Sequence, residues 1–598
     1  MIDANPNALW ARCIIEELVR GGVRDICISP GSRSTPLTLA AASEERLRVH
    51  NHIDERSAAF FALGCSKITG QPTVLICTSG SAGAHYHPAI IEALYARVPL
   101  IALTADRPVE LVGTGAGQTI VQQNMYGPHV LLEHHLELPS LDGQSLRRLR
   151  FKLDQAVATS KGRVGARAPG PVHINVPFRE PLEPTPVEMP ATLAQDAPLA
   201  LSGRREAPFI EHVSPRGLAH PEHVDALVDA CQLAKRGVIV CGPHELIHGE
   251  LREGLLALAE ATGFPLLADP VSSLRYGRGS EAIISRYDAI LRSKRWRAAH
   301  APDLVLRFGA QPTSKVYRFW REEHPEATEI LIDPFGDVFD QPQQATMVIT
   351  APPGALATKV AANLPTSEPT PWTRSFESAE SLATSCLEKA LDDELFWEGW
   401  IARELVEQLP DEGMLWCASS MPIRDVDGFA PRREESLHVL ASRGANGIDG
   451  LIASALGATS ALDAPGALLI GDVAFLHDHS SLLSASRGLD ARVSPQLKII
   501  LVNNGGGGIF EHLPIAKHKQ HYERHFLTPH QTDFELICQA HGVPYTKVTT
   551  KAGFADVLGS CFAREGVEVI EAVVDLNENV ARHRRAWADV TEALENTL

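Results

Sequence analysis

Two apolar runs in the last third of the chain, each followed closely by a polar side chain, constrain the fold most strongly. The first run, Ala467–Ile470, ends just before Asp472, and the second, Leu497–Val502, ends just before Asn504. Short apolar runs of this kind predict buried strands, and Ser480–Arg487 between them can form a helix. A strand–helix–strand unit belongs to a parallel sheet, so the two polar residues should meet at its carboxyl edge, where ligands bind.

The residue types at this edge suit Mg²⁺ bound to a diphosphate. Asp472 offers a carboxylate, Asn504 offers an amide oxygen, and the glycine run Gly505–Gly508 offers backbone carbonyls. Mg²⁺ prefers such hard oxygen ligands and binds phosphate oxygens as well. Glycine also lets the backbone come close to a diphosphate. The alternative is an ordinary strand-end Asp followed by an Asn-Gly turn, which these residue types form routinely.

Composition excludes several classes of protein. A formal net charge of −18 argues against nucleic acid or an anionic membrane as a general partner. The ten cysteines include no C-x-x-C pair, which fits reduced thiols in a cytoplasmic protein. The N-terminus lacks a basic region followed by an apolar one, and no apolar run reaches membrane-spanning length. We therefore expect a cytoplasmic protein without a signal peptide and without membrane insertion.

Two proline-rich stretches divide the 598 residues into three blocks. The first stretch runs from Pro181 to about Pro215, and the second covers Pro352–Pro371. The blocks are 1–185, 210–350 and 390–598. A chain of this length requires several domains. We expect three consecutive α/β domains, each with a doubly wound and mostly parallel sheet.

Predicted strands and helices alternate within the blocks, which indicates repeated β–α–β units. In the first block, the predicted strands are Val23–Ser29, Arg48–His52, Thr73–Cys77 and Leu100–Thr104, and the predicted helices are Asn7–Arg20, Thr35–Ala42, Glu55–Ser66 and Ala84–Ala96. The predicted strands of the middle block are Gly237–Cys241, Leu304–Phe308 and Ile330–Ile332.

The pair formed by Asp472 and Asn504 resembles the metal–diphosphate motif of thiamine diphosphate (ThDP) enzymes, Gly-Asp followed by Asn-Asn. The resemblance implies ThDP as the cofactor. It also implies that Asp472, Asn504 and the carbonyl of Gly506 bind Mg²⁺, with Mn²⁺ as an alternative ion. Glu55 matches the catalytic glutamate that bonds to the aminopyrimidine ring of the cofactor. Taken alone, Glu55 has a simpler explanation, because acidic residues favour the first turn of a helix.

Five segments in chain order are similar to the MenD family of menaquinone biosynthesis. The segments are Ile28–Leu37, Asp54–Arg56, Thr78–Ala82, Leu103–Pro108 and Ser442–Gly450. That family joins 2-oxoglutarate to isochorismate with loss of CO₂, forming 2-succinyl-5-enolpyruvyl-6-hydroxy-3-cyclohexene-1-carboxylate. The resemblance extends over all three blocks and implies this ThDP-dependent transferase activity.

Both substrates of that family are dicarboxylates, and guanidinium groups bind carboxylates through two parallel hydrogen bonds. Cations near the ends of predicted strands are therefore candidates for the site. The resemblance implies a pocket for anionic substrates formed by Ser32, Arg33, Arg107, Gln118, Lys315 and Arg443. It assigns the distal carboxylate of the succinyl group to Ser420 and Arg424. For each cation taken singly, a solvated surface position or a local ion pair is the alternative.

Apolar residues complete the predicted site. The resemblance places Ile448 under the cofactor, where it wedges the two rings into a bent form, and places Ser420 beside the cofactor. Ile509 and Phe510 are expected to form an apolar wall beside the substrate, with ordinary core positions as the alternative.

The chain departs from the family pattern at three positions. Gly117 and Ser419 stand where Asn is expected, and Val473 stands at a motif position that is often Gly. None of these changes removes a predicted catalytic group. Since ThDP enzymes bind the cofactor between two chains, the resemblance also implies a homodimer with shared active sites, often assembled into a dimer of dimers.

Other functions remain as alternatives. The nearest are another ThDP-dependent 2-oxoacid decarboxylase or carboligase, and a non-catalytic ligand-binding relative. A nicotinamide oxidoreductase is less well supported, because no G-x-G-x-x-G follows a strand with an acidic residue at the required distance. The chain also lacks the G-x-x-x-x-G-K-[ST] motif of P-loop nucleotide hydrolases.

Overall fold

The computed structural model describes residues 5–598 except 166, 189–192, 194, 196, 214–218, 245–248, 280–281, 366–367 and 463. Pro215, at the end of the first predicted boundary, lies outside the described residues. The described strands form three six-stranded sheets, and neighbouring strands within each sheet are parallel. The predicted fold class, three consecutive α/β domains with parallel sheets, is confirmed.

The first sheet has the strand order β2-β1-β3-β4-β6-β5. Its strands are β1 (Asp25–Ile28), β2 (Arg48–Asn51), β3 (Thr73–Cys77), β4 (Leu100–Asp106), β5 (Glu133–His135) and β6 (Pro171–Pro177). The helices of this part are α1 (Pro6–Arg20), α2 (Thr35–Ala42), α3 (Glu55–Thr69), α4 (His87–Tyr95), α5 (Gly143–Ser160) and α6 (Pro198–Ser202).

The middle sheet has the order β12-β11-β10-β7-β8-β9. Its strands are β7 (Gly237–Cys241), β8 (Leu266–Ala268), β9 (Ile283–Ile284), β10 (Leu304–Phe308), β11 (Thr328–Asp333) and β12 (Met347–Thr350). The helices here are α7 (Pro221–Leu233), α8 (Gly249–Thr262), α9 (Tyr287–Ile290), α10 (Lys294–Ala299), α11 (Lys315–Glu323) and α12 (Pro353–Ala362).

The third sheet has the order β14-β13-β15-β16-β18-β17. Its strands are β13 (Gly413–Cys417), β14 (Leu437–Leu440), β15 (Gly466–Gly471), β16 (Leu497–Asn503), β17 (Tyr545–Val548) and β18 (Glu568–Val573). The helices are α13 (Pro371–Leu391), α14 (Glu398–Gln408), α15 (Met421–Phe429), α16 (Leu451–Leu462), α17 (Asp472–Asp478), α18 (Leu483–Ser486), α19 (Lys519–Tyr522), α20 (Phe534–His541), α21 (Lys551–Cys561) and α22 (Leu576–Glu595).

Central strands are apolar along their whole length because helices cover both faces of each sheet. In β3, Val74 and Ile76 pack into the core that contains α1, whereas Leu75 and Cys77 pack into the core that contains α3. This alternation follows from the two-residue period of a strand, and it assigns one core to each face of the first sheet.

Two predicted helices differ from the structure. In place of one helix over Ala84–Ala96, a 3₁₀-helix over Ser81–Tyr86 is followed by α4, which begins at His87 with a proline in its first turn. In place of a helix over Ser480–Arg487, α17 begins directly after β15 at Asp472, and only short helical turns follow it. Asp472 starts α17 because a carboxylate is favourable at a helix N-terminus.

The first and third domains pack through two helices whose backbones touch. A Cβ atom added at Gly64 of α3 would lie 2.0 Å from the Ser454 carbonyl oxygen, and one added at Gly457 of α16 would lie 2.0 Å from the Phe61 carbonyl oxygen. Only glycine permits this approach. The contact connects α3, which begins at Glu55, to the third domain.

The second predicted boundary, Pro352–Pro371, contains helix α12. Leu356, Ala357 and Val360 of this helix pack into the core of the middle sheet. Among the described helices, none combines the length and the apolar character needed to cross a membrane.

Candidate active site

A cavity of about 440 Å³ opens at the carboxyl ends of β13, β15 and β16. In the sheet, β13 has β14 on one side and β15 on the other, so the strand order reverses direction at β13. The cavity therefore lies at the switch point of a parallel sheet. We call it the third-domain cavity. The predicted site residues that line it are Ser420, Arg424, Arg443, Ile448, Asp472, Asn504, Gly506, Ile509 and Phe510.

The Asp472 carboxylate organises the glycine loop after β16. Its Oδ2 atom accepts hydrogen bonds from the backbone N–H groups of Asn504, Gly505 and Gly506 at 3.1, 2.8 and 3.0 Å. Burial raises the pKa of Asp472, while His530, whose Nε2 lies 3.4 Å from Oδ2, and the backbone donors oppose that shift. The carboxylate is therefore held in place at the edge of the cavity.

The Asn504 side chain has one satisfied end and one unsatisfied end. Its Nδ2 donates a hydrogen bond to Oε1 of Glu398 at 2.7 Å. Its Oδ1 is buried and has no hydrogen-bond partner among the described residues. A buried oxygen without a partner is costly, so this atom is ready to accept a ligand.

Gly506 needs to be glycine at this point of the loop. Its φ angle is +156°, and a Cβ atom there would lie 2.4 Å from the Leu527 carbonyl oxygen. The Gly506 carbonyl accepts a hydrogen bond from the Gly508 N–H at 2.9 Å and keeps a second lone pair. Together with the Asp472 carboxylate and the unpartnered Asn504 oxygen, it forms a set of hard oxygen donors that fits Mg²⁺.

Arg424 and Arg443 supply positive charge to the same cavity. The Arg424 guanidinium donates to the Ser420 carbonyl, which belongs to the turn before α15. Burial, followed by the nearby Arg443, lowers the pKa of Arg424. Two cations that face one cavity repel each other, and an anionic ligand would relieve that repulsion.

Lys315 lies in a neighbouring cavity of about 540 Å³ that shares Arg424, Arg443 and Asn446 with the third-domain cavity. Lys315 is the first residue of α11, and the Ser314 side chain caps this helix by accepting from the Tyr317 N–H. The two cavities adjoin, so the structure brings Lys315 towards the two arginines.

A second group of predicted residues lies at the carboxyl ends of the first sheet. The buried Arg33 donates to the Phe178 carbonyl at 3.0 Å and pairs with Glu180 at 3.2 Å. Arg107 follows β4 and donates to Ser79. Burial and then the charge of Arg33 lower the pKa of Arg107, so the two guanidinium groups influence each other.

Ser32, Gln118 and Glu55 lie in the same region. Ser32 is exposed next to Arg33 in the turn before α2. Gln118 has a φ angle of +54° and lies near Gly80 in the loop after β3, where an added Cβ atom would be 3.5 Å from the Gln118 Cβ. Glu55 begins α3 and is half-buried. Burial raises the pKa of the Cys77 thiol to about 12, and Glu55 adds to that shift, which locates Glu55 near the end of β3.

The candidates thus form two groups within one chain. None of the residues that line the third-domain cavity, in the part of the chain that the structure describes, comes from the first domain. The structure brings the metal and diphosphate candidates together with Arg424 and Arg443, and it does not bring Glu55, Arg33 or Arg107 into that cavity.

Sequence reasoning missed a buried cluster of Glu398, Asp425 and His583 beside the cavity, whose ligand-type atoms lie within 4.8 Å of one another. His583 Nε2 contacts Asp425 Oδ1 at 2.7 Å. Burial, reinforced by Asp425, raises the pKa of Glu398 to about 7. In the sequence, Glu398 looks like an ordinary acidic residue at a helix start, so no local signal identifies it.

Comparison with family models gives three matches in order. Residues 10–125 match the N-terminal TPP binding domain of thiamine pyrophosphate enzymes, residues 204–417 match the middle domain of thiamine pyrophosphate, and residues 428–572 match the C-terminal TPP binding domain. A solved structure of a thiamine diphosphate-dependent 4-hydroxybenzoylformate decarboxylase from Rhodococcus jostii RHA1 has a TM-score of 0.70 at 18% identity and covers 95% of this chain and 99% of its own. This likeness concerns the fold.

Curated relatives are similar over nearly their whole length. A 2-succinyl-5-enolpyruvyl-6-hydroxy-3-cyclohexene-1-carboxylate synthase from Myxococcus xanthus is 42% identical over 99% of this chain and 98% of its own. Proteins with the same name from Haloarcula marismortui and Bacillus pumilus are 40% and 38% identical, over 99% and 97% of this chain and 100% and 97% of their own. The chain therefore belongs to the MenD family, the 2-succinyl-5-enolpyruvyl-6-hydroxy-3-cyclohexene-1-carboxylate synthases among the thiamine diphosphate-dependent enzymes.

Proposed function

We propose that this protein decarboxylates 2-oxoglutarate and adds the resulting succinyl unit to isochorismate in menaquinone biosynthesis. The product is 2-succinyl-5-enolpyruvyl-6-hydroxy-3-cyclohexene-1-carboxylate. The observation that carries the proposal is a single cavity in which oxygen donors suited to a metal–diphosphate face two arginines suited to dicarboxylates. The names of the curated relatives agree with this product.

The cofactor site uses both groups of residues. When bound, thiamine diphosphate supplies the carbon nucleophile and the electron sink that the decarboxylation needs. Asp472, Asn504 and Gly506 hold Mg²⁺, or Mn²⁺ in its place, through their oxygen atoms. Glu55 hydrogen-bonds the pyrimidine ring through its carboxylate. Ile448 and Ser420 contact the cofactor from the wall of the cavity.

Substrate binding depends on the cations. Ser420 and Arg424 hold the distal carboxylate of the succinyl group, where a guanidinium can form two hydrogen bonds. The remaining polar residues bind the carboxylates of the acceptor and stabilise the negative charge that develops on it during the 1,4-addition. These residues are Ser32, Arg33, Arg107, Gln118, Lys315 and Arg443. Ile509 and Phe510 form the apolar wall that excludes water beside them.

The working unit is a homodimer, assembled in turn as a dimer of dimers, in which each site takes residues from two chains. The separation of Glu55 from the third-domain cavity within one chain supports this assembly. We place the enzyme in the cytoplasm, and we divide it into a pyrimidine-binding domain (1–185), a central domain (210–350) and a diphosphate-binding domain (390–598).

The test is a mass-spectrometric assay with purified protein, ThDP, Mg²⁺, 2-oxoglutarate and isochorismate, in which each component is omitted in turn. We expect a product equal to both substrates minus CO₂, formed only when all four are present. Loss of 2-oxoglutarate without that product would indicate a different acceptor and therefore another ThDP-dependent carboligase or decarboxylase. No ThDP-dependent change in a folded, cofactor-bound protein would contradict the proposal and favour a binding role.

A further inference from the structure

Glu398 is a buried carboxylate that the proposed chemistry does not use. It begins α14, and its backbone N–H donates to Asn579 Oδ1 at 3.1 Å, so α22 fixes the start of the helix. The residue is 4% exposed and lines the third-domain cavity. Burying a carboxylate is costly unless it is hydrogen-bonded or paired, so its contacts indicate what it contributes.

The contact of Glu398 with Asn504 decides how the Asn504 amide is oriented. In the structure Oε1 of Glu398 is the acceptor, and the amide turns its Nδ2 towards that oxygen at 2.7 Å. The amide is planar, and its oxygen therefore points away from Glu398. That oxygen is buried, has no partner among the described residues, and belongs to a residue that lines the cavity.

The opposite orientation is unfavourable. If the amide were reversed, Asn504 Oδ1 would face Oε1 of Glu398, and two acceptors would meet without a hydrogen between them. Hydrogen-bond partners of this kind are what fix the orientation of a ligand group around a metal. An acceptor on Nδ2 also polarises the amide and makes its oxygen a better ligand for a cation.

We propose that Glu398 is a positioning residue for the divalent ion, holding the Asn504 amide so that its Oδ1 faces the metal. The inference rests on the proposed function, since it requires Asp472, Asn504 and Gly506 to hold the ion. Glu398 acts through Asn504 and is not itself a metal ligand. An acceptor of the same size at position 398 should therefore serve as well as a carboxylate.

The first experiment measures binding of Mn²⁺ to the full-length protein with ThDP present, by electron paramagnetic resonance of the free ion. We expect Glu398→Leu to weaken Mn²⁺ binding by about 10- to 100-fold, and Glu398→Gln to stay within about threefold of wild type, because glutamine still accepts from Nδ2. In an Asn504→Ala background, Glu398→Leu should add little further loss. Circular dichroism checks that each variant is folded.

Three outcomes of this experiment would overturn the inference. The first is unchanged Mn²⁺ binding in Glu398→Leu. The second is equal loss in Glu398→Gln and Glu398→Leu, which would make Glu398 a direct ligand. The third is full additivity of the losses from Glu398→Leu and Asn504→Ala. Asp472→Ala separates this inference from the proposed site. If Asp472→Ala binds Mn²⁺ like wild type, the metal site itself is wrong, whereas loss in Asp472→Ala with normal Glu398→Leu rejects only the role of Glu398.

A second pair of variants tests the orientation directly and does not depend on Glu398→Leu being folded. Asn504→Asp supplies a good oxygen ligand but places two carboxylates in contact, so we expect weakened Mn²⁺ binding. Adding Glu398→Gln restores an N–H donor between positions 398 and 504. We expect the affinity for Mn²⁺ to recover about tenfold. Failure of the double variant to recover, with both proteins folded, would contradict the inference.

Discussion

Arg424 and Arg443 face the same cavity in the third domain, although like charges repel. Burial and the neighbouring Arg443 lower the pKa of Arg424, and no carboxylate lies within 4 Å of its guanidinium among the described residues. Arg424 is exposed in this chain, so its guanidinium is accessible to a ligand. An arginine whose guanidinium donates to a backbone carbonyl and is not in contact with a carboxylate is well placed to bind a carboxylate from a ligand.

Replacing Arg424 with methionine should raise the KM for 2-oxoglutarate. Methionine keeps an unbranched apolar stem but removes the charge and the paired donors, and we expect an increase of about 30-fold, corresponding to roughly 2 kcal/mol. Steady-state kinetics with the other substrate saturating measure the change. Arg585→Met is a matched control, because Arg585 is 70% exposed on α22, and its KM should equal that of wild type. An unchanged KM in Arg424→Met would remove Arg424 from the substrate site.

His52 links the first and third domains and should make stability depend on pH. Its Nδ1 lies 2.9 Å from Ser484 Oγ, and burial, with a smaller contribution from His50, lowers its pKa to about 3. The unfolded chain binds a proton near pH 6.5, while the folded protein does not. The stability from His52 is thus complete above that pH and is lost as the pH falls towards 3.

His52→Gln should flatten this dependence. Between the two pKa values the contribution of His52 changes by at most about 1.4 kcal/mol per pH unit, and glutamine cannot take up the proton. Urea unfolding at a series of pH values measures the slope. His85→Gln, at an exposed position, should leave the slope unchanged. Equal slopes for His52→Gln and wild type would show that the proton uptake occurs elsewhere.

The residues that could be predicted from sequence are those that follow strands. Asp472 and Asn504 follow apolar runs, and parallel pairing of β15 with β16 brings the two strand ends together. Glu398 could not be predicted, because its contact with Asn504 joins residues 106 positions apart through the start of a helix. Such contacts depend on how α14 packs against the third sheet, and no short-range pattern records that packing.

At the scale of elements, buried strands were the most predictable part. Thr73–Cys77, Gly237–Cys241 and Leu304–Phe308 have the predicted bounds, because an apolar run covered on both faces begins and ends sharply. Helix limits were less predictable. The range predicted as one helix, Ser480–Arg487, holds only part of a 3₁₀ turn and the short helix α18, because the longer helix α17 already begins at Asp472, directly after β15.

The contact between α3 and α16 provides a prediction about packing. A methyl group at Gly457 would meet the Phe61 carbonyl oxygen at 2.0 Å, so Gly457→Ala must push the helices apart. We expect Gly457→Ala to lower the free energy of unfolding by about 1–3 kcal/mol. Chemical denaturation followed by fluorescence measures the change.

The control for that prediction is Gly428→Ala. Gly428 lies in α15, and a Cβ atom there meets nothing within 4 Å. Alanine is the better helix former, so Gly428→Ala should be neutral or stabilise the protein by up to ~1 kcal/mol. If both variants have the same unfolding midpoint, the close approach of α3 and α16 is not a determinant of stability.

At the scale of the whole molecule, charge and assembly act in different ways. The chain carries a formal net charge of −18, yet its candidate site gathers arginines and a lysine around two adjoining cavities. A local cationic site in an acidic protein favours small anions while repelling large polyanions. The candidate site residues are divided between the ends of the first and third sheets, and no first-domain residue that the structure describes lines the third-domain cavity.

Mixing two inactive variants tests whether two chains complete each site. Glu55→Gln and Asp472→Ala should each be inactive alone, because one lacks the carboxylate proposed to bond the cofactor ring and the other the carboxylate proposed to bind the metal. In a dimer with shared sites, a mixed pair contains one intact site and one doubly defective site. Random exchange of equal amounts should therefore restore about a quarter of the wild-type activity.

Recovered activity supports a shared site only if it follows the exchange of subunits between dimers. Exchange is monitored by native mass spectrometry of chains with different isotope labels, and activity should rise at the same rate as the mixed dimer appears. Mixing Glu55→Gln with Glu55→Gln that carries the second label is the control, and it should exchange without any gain. If mixed dimers of the two variants form and activity stays absent, Glu55 and Asp472 act in the same chain, and the shared site is rejected. In that case the first domain would have to move relative to the third to bring Glu55 to the third-domain cavity.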